Sequence, residues 1–236
     1  MKRILTKLFC FLLFSGGLIA ADKNVNEASE PKVQSQESIN LIEGNSLKAW
    51  KVPSSLWSTS DNVIIGDTGK EKLQKPQWLY TKQKFGDFLF TSEFKLTGTT
   101  APNSGIYYRV KPFIFDRIKK KGAFEAASGY EYDLSYNKFL GSLGDWYARP
   151  SLRIFPDNKI TDQLIKKNDW NRATIRAKSN RLEYWLNGVK IMDFIDHDPK
   201  ASPSGVIGLQ IHDGALMKIE FRKMHILPLE KSLHSK

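Results

Sequence analysis

Two carboxylates stand two residues apart in the run Gly129-Tyr130-Glu131-Tyr132-Asp133-Leu134. In an extended strand that spacing puts both on one face, about 7 Å apart at their Cα atoms. Paired carboxyls suit general acid–base chemistry, in which one group gives a proton and another takes one. The same two-residue spacing recurs in Tyr107 and Arg109, in Gln210 and His212, and in Glu220 and Arg222. Among His197, His212, His225 and His234, only His212 stands at the polar parity of an alternating run. An imidazole in water titrates at about 6.5, which fits proton transfer near neutrality. Gathered on one concave sheet, these faces would form a groove holding carboxylates, a guanidinium, an imidazole and an amide. Tyr107, Trp146 and Tyr147 would add rings on which sugars stack. The plainer alternative is the solvated outer face of a sandwich. A divalent metal held by Glu131 or Asp133 with His212 is left open, although no His-x-His or His-Glu-x-x-His spacing points to one. Neither a glycine-rich phosphate loop nor a Gly-x-Ser-x-Gly elbow occurs.

Strands must position these groups. Phe88, Phe90 and Phe94 alternate with Thr91, Glu93 and Lys95; Ile106, Tyr108 and Val110 alternate with Tyr107 and Arg109. Further period-two runs are Tyr130–Leu134, Arg172–Lys178, Leu182–Leu186, Val189–Ile195, Gly205–His212 and Met217–Ile226. Asn187-Gly188 between two apolar runs is a strong hairpin signal, because both residues tolerate positive φ. No stretch of 12 or more residues carries a convincing helical stripe. Many short strands without intervening helices predict an all-β, antiparallel two-sheet sandwich. The segment Lys111–Lys121 is basic and contains Phe113, Ile114 and Phe115. It reads as a solvated insertion, a lid or a membrane-facing patch.

The 236 residues are 41% apolar and 12% aromatic, with 36 Lys and Arg against 25 Asp and Glu. That balance excludes a disordered chain, a collagen and a disulfide-laced miniprotein. Only the N-terminus has an apolar run approaching the ~18 residues of a spanning helix, so a polytopic membrane protein is excluded. Lys2, Arg3 and Lys7 precede the apolar run Leu8–Ala20, the pattern of a secretory signal peptide over residues 1–21. Its removal would lower the formal charge of +11 by three, to +8. The expected localisation is periplasmic or secreted, with no membrane span left after cleavage. The only cysteine, Cys10, lies in the leader, so the mature chain has neither disulfides nor thiolate sites. Export and the lack of a nucleic-acid motif argue against a nucleic-acid partner. Residues 22–44 read as a flexible polar linker, 45–230 as the folded domain and 231–236 as a C-terminal tail.

Several strings, in order, resemble the 3-keto-disaccharide hydrolase domain family, which is common among exported bacterial proteins. They are Phe85-Gly86-Asp87-Phe88 with Glu93-Phe94, Asn103-Ser104-Gly105-Ile106-Tyr107-Tyr108-Arg109, and Gly129-Tyr130-Glu131. Asp169-Trp170-Asn171, Trp185-Leu186-Asn187-Gly188, Gly205–His212 and Glu220-Phe221-Arg222 follow. The similarity runs from about Leu47 to Leu229. It implies a concanavalin A-like jelly roll and cleavage of sugars already oxidised at C3. Two departures stand out: Asp133 replaces the family's usual glutamine, and Gly141–Tyr147 differs from its usual loop. The implied chemistry needs a base over C2, a stabiliser for charge developing on O3 and an acid at the leaving oxygen. His212 or Glu131 is the expected base, Arg109 or a metal the stabiliser, and Asp133 the acid or a substrate contact. Asn103, Ser104, Tyr107, Gln210, Trp146 and Tyr147 are the expected carbohydrate contacts.

Two other readings compete. A retaining glucanase of this fold would need a Glu-x-Asp-x-Glu run, and Ser135 stands where the second glutamate belongs. A non-catalytic carbohydrate-binding module or lectin would use the same aromatic and polar residues without turnover.

Overall fold

A computed structural model describes residues 29–119 and 122–229. The expected leader (1–21) and tail (231–236) lie outside the described residues. In chain order the strands begin with β1 (Ile39–Asn40), β2 (Trp50–Lys51), β3 (Trp57–Ser60), β4 (Val63–Asp67) and β5 (Gln77–Phe85). Next come β6 (Phe88–Thr100), β7 (Gly105–Phe115), β8 (Phe124–Asp133), β9 (Leu143–Asp145) and β10 (Arg149–Ile154). After a short helix, α1 (Asn158–Leu164), follow β11 (Asn171–Lys178), β12 (Arg181–Leu186) and β13 (Val189–Ile195). The last two are β14 (Gly205–Ile211) and β15 (Leu216–Pro228).

These strands form two antiparallel sheets. Sheet A runs β13-β12-β11-β6-β15-β4-β3, with β1 also paired to β15; sheet B runs β10-β9-β8-β7-β14-β5-β2. The architecture is the antiparallel jelly-roll sandwich that the alternation predicts. Between the layers, Phe88, Phe90, Phe94 and Leu96 of β6 pack with Ile106 and Tyr108 of β7 and Ile207, Leu209 and Ile211 of β14. Between the layers Tyr108, Tyr130, Tyr132 and Tyr184 bring polar tips inside, and each of these four finds a partner. The Tyr108 and Tyr184 hydroxyls meet at 2.8 Å, and Tyr184 donates to the Glu131 carbonyl at 3.1 Å. The site strand β8 is thus fastened from behind.

β7 departs from simple alternation. Between Tyr108 and Lys111 it carries one residue more than either neighbour: Tyr108 faces Tyr130 and Lys111 faces Ser128, while Tyr107 faces Gly208 and Val110 faces Val206. The extra residue makes a β-bulge, with Arg109 at a φ of 51°. Gly129 and Gly205 flank it on the adjoining strands. A Cβ on Gly129 would lie 2.7 Å from the Tyr108 carbonyl oxygen, and one on Gly205 would lie 2.3 Å from the Arg109 carbonyl carbon. Both glycines are therefore required by the close approach of the bulged backbone.

Three expectations are corrected. The bulge turns the Arg109 side chain away from the face that Tyr107 occupies, and Val110 packs with Tyr107 in the outer cluster instead of the core. Glu220 and Arg222 lie on β15, in sheet A, so they cannot share a groove with Glu131 of sheet B. They pair instead with Lys95 and Glu93. The polar linker packs over its described part: Val33, Leu41 and Ile42 are buried, and the Glu30 carboxylate meets Arg172 and Thr174 on the outer side of sheet A. The basic segment after Arg109 continues β7 and turns into β8, leaving Ile114 and Ile118 exposed.

Candidate functional site

The outer face of sheet B carries a hollow of about 250 Å³, comparable with one sugar ring. Its lining comes from Asn103, just before β7, Tyr107 of β7, Glu131 and Asp133 of β8, and Gln210 and His212 from β14 and the residue after it. The chain between β8 and β10 folds over them and contributes Phe139, Trp146 and Tyr147. The period-two spacing of β8 does what the sequence suggests: Tyr130 and Tyr132 enter the core, and Glu131 and Asp133 face the hollow.

Glu131 is the most enclosed of these groups, at 3% exposure. The Tyr107 hydroxyl and the Trp146 indole N–H both bond its carboxyl. Burial, reinforced by the nearby Asp133 charge, pushes its pKa well above the usual carboxylate range. Space for it is made at Gly105, whose hypothetical Cβ would fall 2.4 Å from Glu131 Oε1. Asp133 is also raised by burial, to about 6, against opposing hydrogen bonds from Ser135. The Ser135 backbone N–H donates to Asp133 Oδ1 at 2.7 Å and its hydroxyl donates at 2.5 Å. Position 135 is therefore a support for Asp133, not a second acid of a glucanase triplet. The His212 Nδ1 lies 2.6 Å from the Asp213 carbonyl oxygen. An N–H donated to that carbonyl fixes the tautomer and leaves the lone pair on Nε2.

The amides complete the wall. Gln210 Nε2 donates to the Tyr107 hydroxyl at 3.1 Å, and Ser104 Oγ donates to the Gln210 carbonyl at 2.7 Å. Ser104 thus positions β14 and does not line the hollow. Gln210 Oε1 and Asn103 Oδ1 are buried without a partner. Such oxygens suit hydroxyl donors on a ligand, because a buried acceptor left unpaired costs about 1–3 kcal/mol.

Of the residues expected from sequence, the hollow gathers Asn103, Tyr107, Glu131, Asp133, Trp146, Tyr147, Gln210 and His212. Arg109 is not among them. Its guanidinium, 1% exposed, bonds the Gly86 carbonyl at 2.9 Å, the Ser179 carbonyl at 2.7 Å and Asp87 Oδ1 at 2.8 Å. It ties β7 to the β5–β6 and β11–β12 turns, and the role of stabilising charge on O3 does not fit that position. Phe139 was missed. It stands in an irregular segment without periodicity, edge-on to Trp146 at 5.8 Å. Among the described residues, no group of three His, Cys, Asp or Glu side chains converges to hold a metal.

Solved structures share this fold. A glycosyl hydrolase-like protein of Parabacteroides distasonis superposes with a TM-score of 0.59 at 22% identity, over 82% of this chain and 94% of that one. A carbohydrate binding module from Bacillus subtilis gives 0.51 at 14% identity, over 75% and 93%. A legume lectin-like domain from Entamoeba histolytica gives 0.51 at 13%, over 77% and 89%. At these identities the likeness is one of fold. No curated protein matches the sequence. The family model for the 3-keto-alpha-glucoside-1,2-lyase-like domain matches residues 37–227, which include every residue of the hollow, and the chain belongs to that family.

Proposed function

We propose that this chain is an exported enzyme that cleaves 3-keto-glycosides by removing the C2 proton and expelling the aglycone from C1. The supporting observation is one sugar-sized hollow that gathers a buried carboxyl whose pKa burial raises, Glu131, with the Asp133 carboxyl and the His212 imidazole. A ketone at C3 acidifies the C2 proton, because the charge left behind spreads onto O3. His212 takes that proton at Nε2. The charge of Asp133, ionised above about pH 6, favours the imidazolium that forms. The enolate then collapses: the C3 carbonyl re-forms, a C1–C2 double bond forms and the C1–O bond breaks. Glu131 gives its proton to the departing oxygen. Water adding its oxygen at C1 and a proton at C2 turns the elimination into net hydrolysis. Asn103 and Gln210 accept hydrogen bonds from sugar hydroxyls, and Tyr147 and Trp146 cover the ring.

The test is incubation of purified protein with a 3-keto-disaccharide, with and without chelator, followed by mass spectrometry. Consumption of substrate is expected, with release of the aglycone sugar. Glu131→Gln, which keeps the shape of the side chain but not its acid, should abolish turnover and leave the fold intact. Saturable binding without consumption would assign the hollow to carbohydrate recognition alone.

A further inference from the structure

A second cavity, of about 490 Å³, opens on the same face of sheet B. Trp78 of β5 separates it from the first. The Trp78 ring meets Tyr107 edge-on at 5.6 Å and Tyr147 at 5.7 Å, both of which line the first hollow, while Trp78 itself lines the second. The two cavities follow one another along β14, where Val206 belongs to the second and Gln210 to the first. Gln210 stands four positions after Val206 along the strand, about 13 Å.

The chemistry of the second cavity differs from that of the first. Trp78, Tyr80, Val110 and Val206 give it an apolar floor, with the Trp78 and Tyr80 rings parallel to within 6°. Lys51, Lys84 and Lys111 stand on its rim against a single acid, Glu125. None of these three lysines forms an ion pair among the described residues. In addition, Trp78 Nε1 and Tyr80 Oη are buried donors without partners, although both residues are at least nine-tenths buried. Donors of this kind favour a ligand that brings acceptors.

We propose that this second cavity receives the aglycone of the glycoside, and that the aglycone it fits is a flat apolar group carrying an anionic substituent, such as an aromatic carboxylate. The assignment deepens the reading of the first hollow as the sugar site and rests on it for the sugar end. The aromatic floor buries the ring, the lysines attract the anion, and Trp78 stands between the two halves of the substrate.

The probe is free 1-naphthoate, titrated by calorimetry into the full chain at low ionic strength, with neutral 1-naphthalenemethanol as its uncharged counterpart. The double variant Lys84→Gln/Lys111→Gln changes only exposed residues, so its fold is retained. It should weaken 1-naphthoate roughly tenfold and 1-naphthalenemethanol by less than about twofold, the size expected for losing two solvent-screened charge contacts. Glu131→Gln should leave 1-naphthoate affinity unchanged. Equal affinity of wild type and the lysine variant for 1-naphthoate, no binding at all, or loss of binding in Glu131→Gln would each overturn the assignment. Cleavage of a 3-keto-disaccharide by a chain that ignores 1-naphthoate removes the aglycone site and leaves the enzyme reading standing. Charge-dependent 1-naphthoate binding by a chain that cleaves nothing does the reverse.

Discussion

Gly105→Ala probes Glu131, the proposed acid, without substituting it. Gly105 opens β7 opposite Asp133, and a methyl group there would lie 2.4 Å from Glu131 Oε1 and 2.9 Å from Tyr107 Cε2. Ordinary contact begins at 3.4 Å, so the carboxyl must retreat by about 1 Å. It has little room to do so, because Tyr107 and Trp146 both bond it and it is 3% exposed. A displacement of that size at a group proposed to meet the leaving oxygen should cost about 100-fold in rate. Overpacking of this kind destabilises by about 1–3 kcal/mol, which for a domain of this size lowers the melting temperature by roughly 2–12 °C. The assay is kcat/KM on a 3-keto-glycoside beside a thermal melt. Glu131→Asp, which shortens the side chain by one methylene, should recover part of the lost melting temperature in the Gly105→Ala background and lower it in the wild type. A folded Gly105→Ala enzyme with kcat/KM within about twofold of wild type, or strict additivity of the two melting shifts, would refute the reasoning.

The remaining predictions concern Asp133 and Arg109. Because the folded pKa of Asp133 lies near 6 and its ordinary value is 3.8, the native state holds the proton more tightly between those limits. Stability should therefore fall as pH rises from about 4 to 6 and stay lower above, by on the order of 1–3 kcal/mol; Asp133→Asn should flatten that slope in pH-dependent denaturant titrations. The same ionisation should make kcat/KM climb through about pH 6, and a pH profile flat across that range removes Asp133 from the mechanism. Arg109→Met breaks a buried ion pair and two further bonds. About 3 kcal/mol of stability should be lost, with kcat of the folded fraction within about threefold of wild type, since the guanidinium lies outside the hollow. A hundredfold loss of kcat with an unchanged melt would return Arg109 to the chemistry.

Alternation made most of the fold legible, because a strand with one buried face must repeat every second residue; Phe88, Phe90 and Phe94 are all core residues of β6. It also placed Glu131 beside Asp133, and Gln210 beside His212. Alternation fails where the backbone adds a residue. Nothing in Tyr107-Tyr108-Arg109-Val110 announces the bulge; its traces are Gly129 and Gly205, which sit far apart in sequence and become informative once the strands are paired. Parity is equally silent about which sheet a strand joins, so Glu220 and Arg222 carried the right spacing on the wrong layer. Phe139 and the docked Val33, Leu41 and Ile42 belong to segments without a period, where burial depends on what the rest of the molecule leaves open.

The docking of residues 29–42 gives the molecule a front and a back. Ser29 bridges to Val189, Glu30 grips Arg172 and Ile39 pairs with Ile226, all on sheet A, whereas both cavities open on sheet B. The described chain therefore begins on sheet A, away from both cavities. A partner held against sheet A would leave both cavities uncovered, so holding it and filling them would not compete for the same surface.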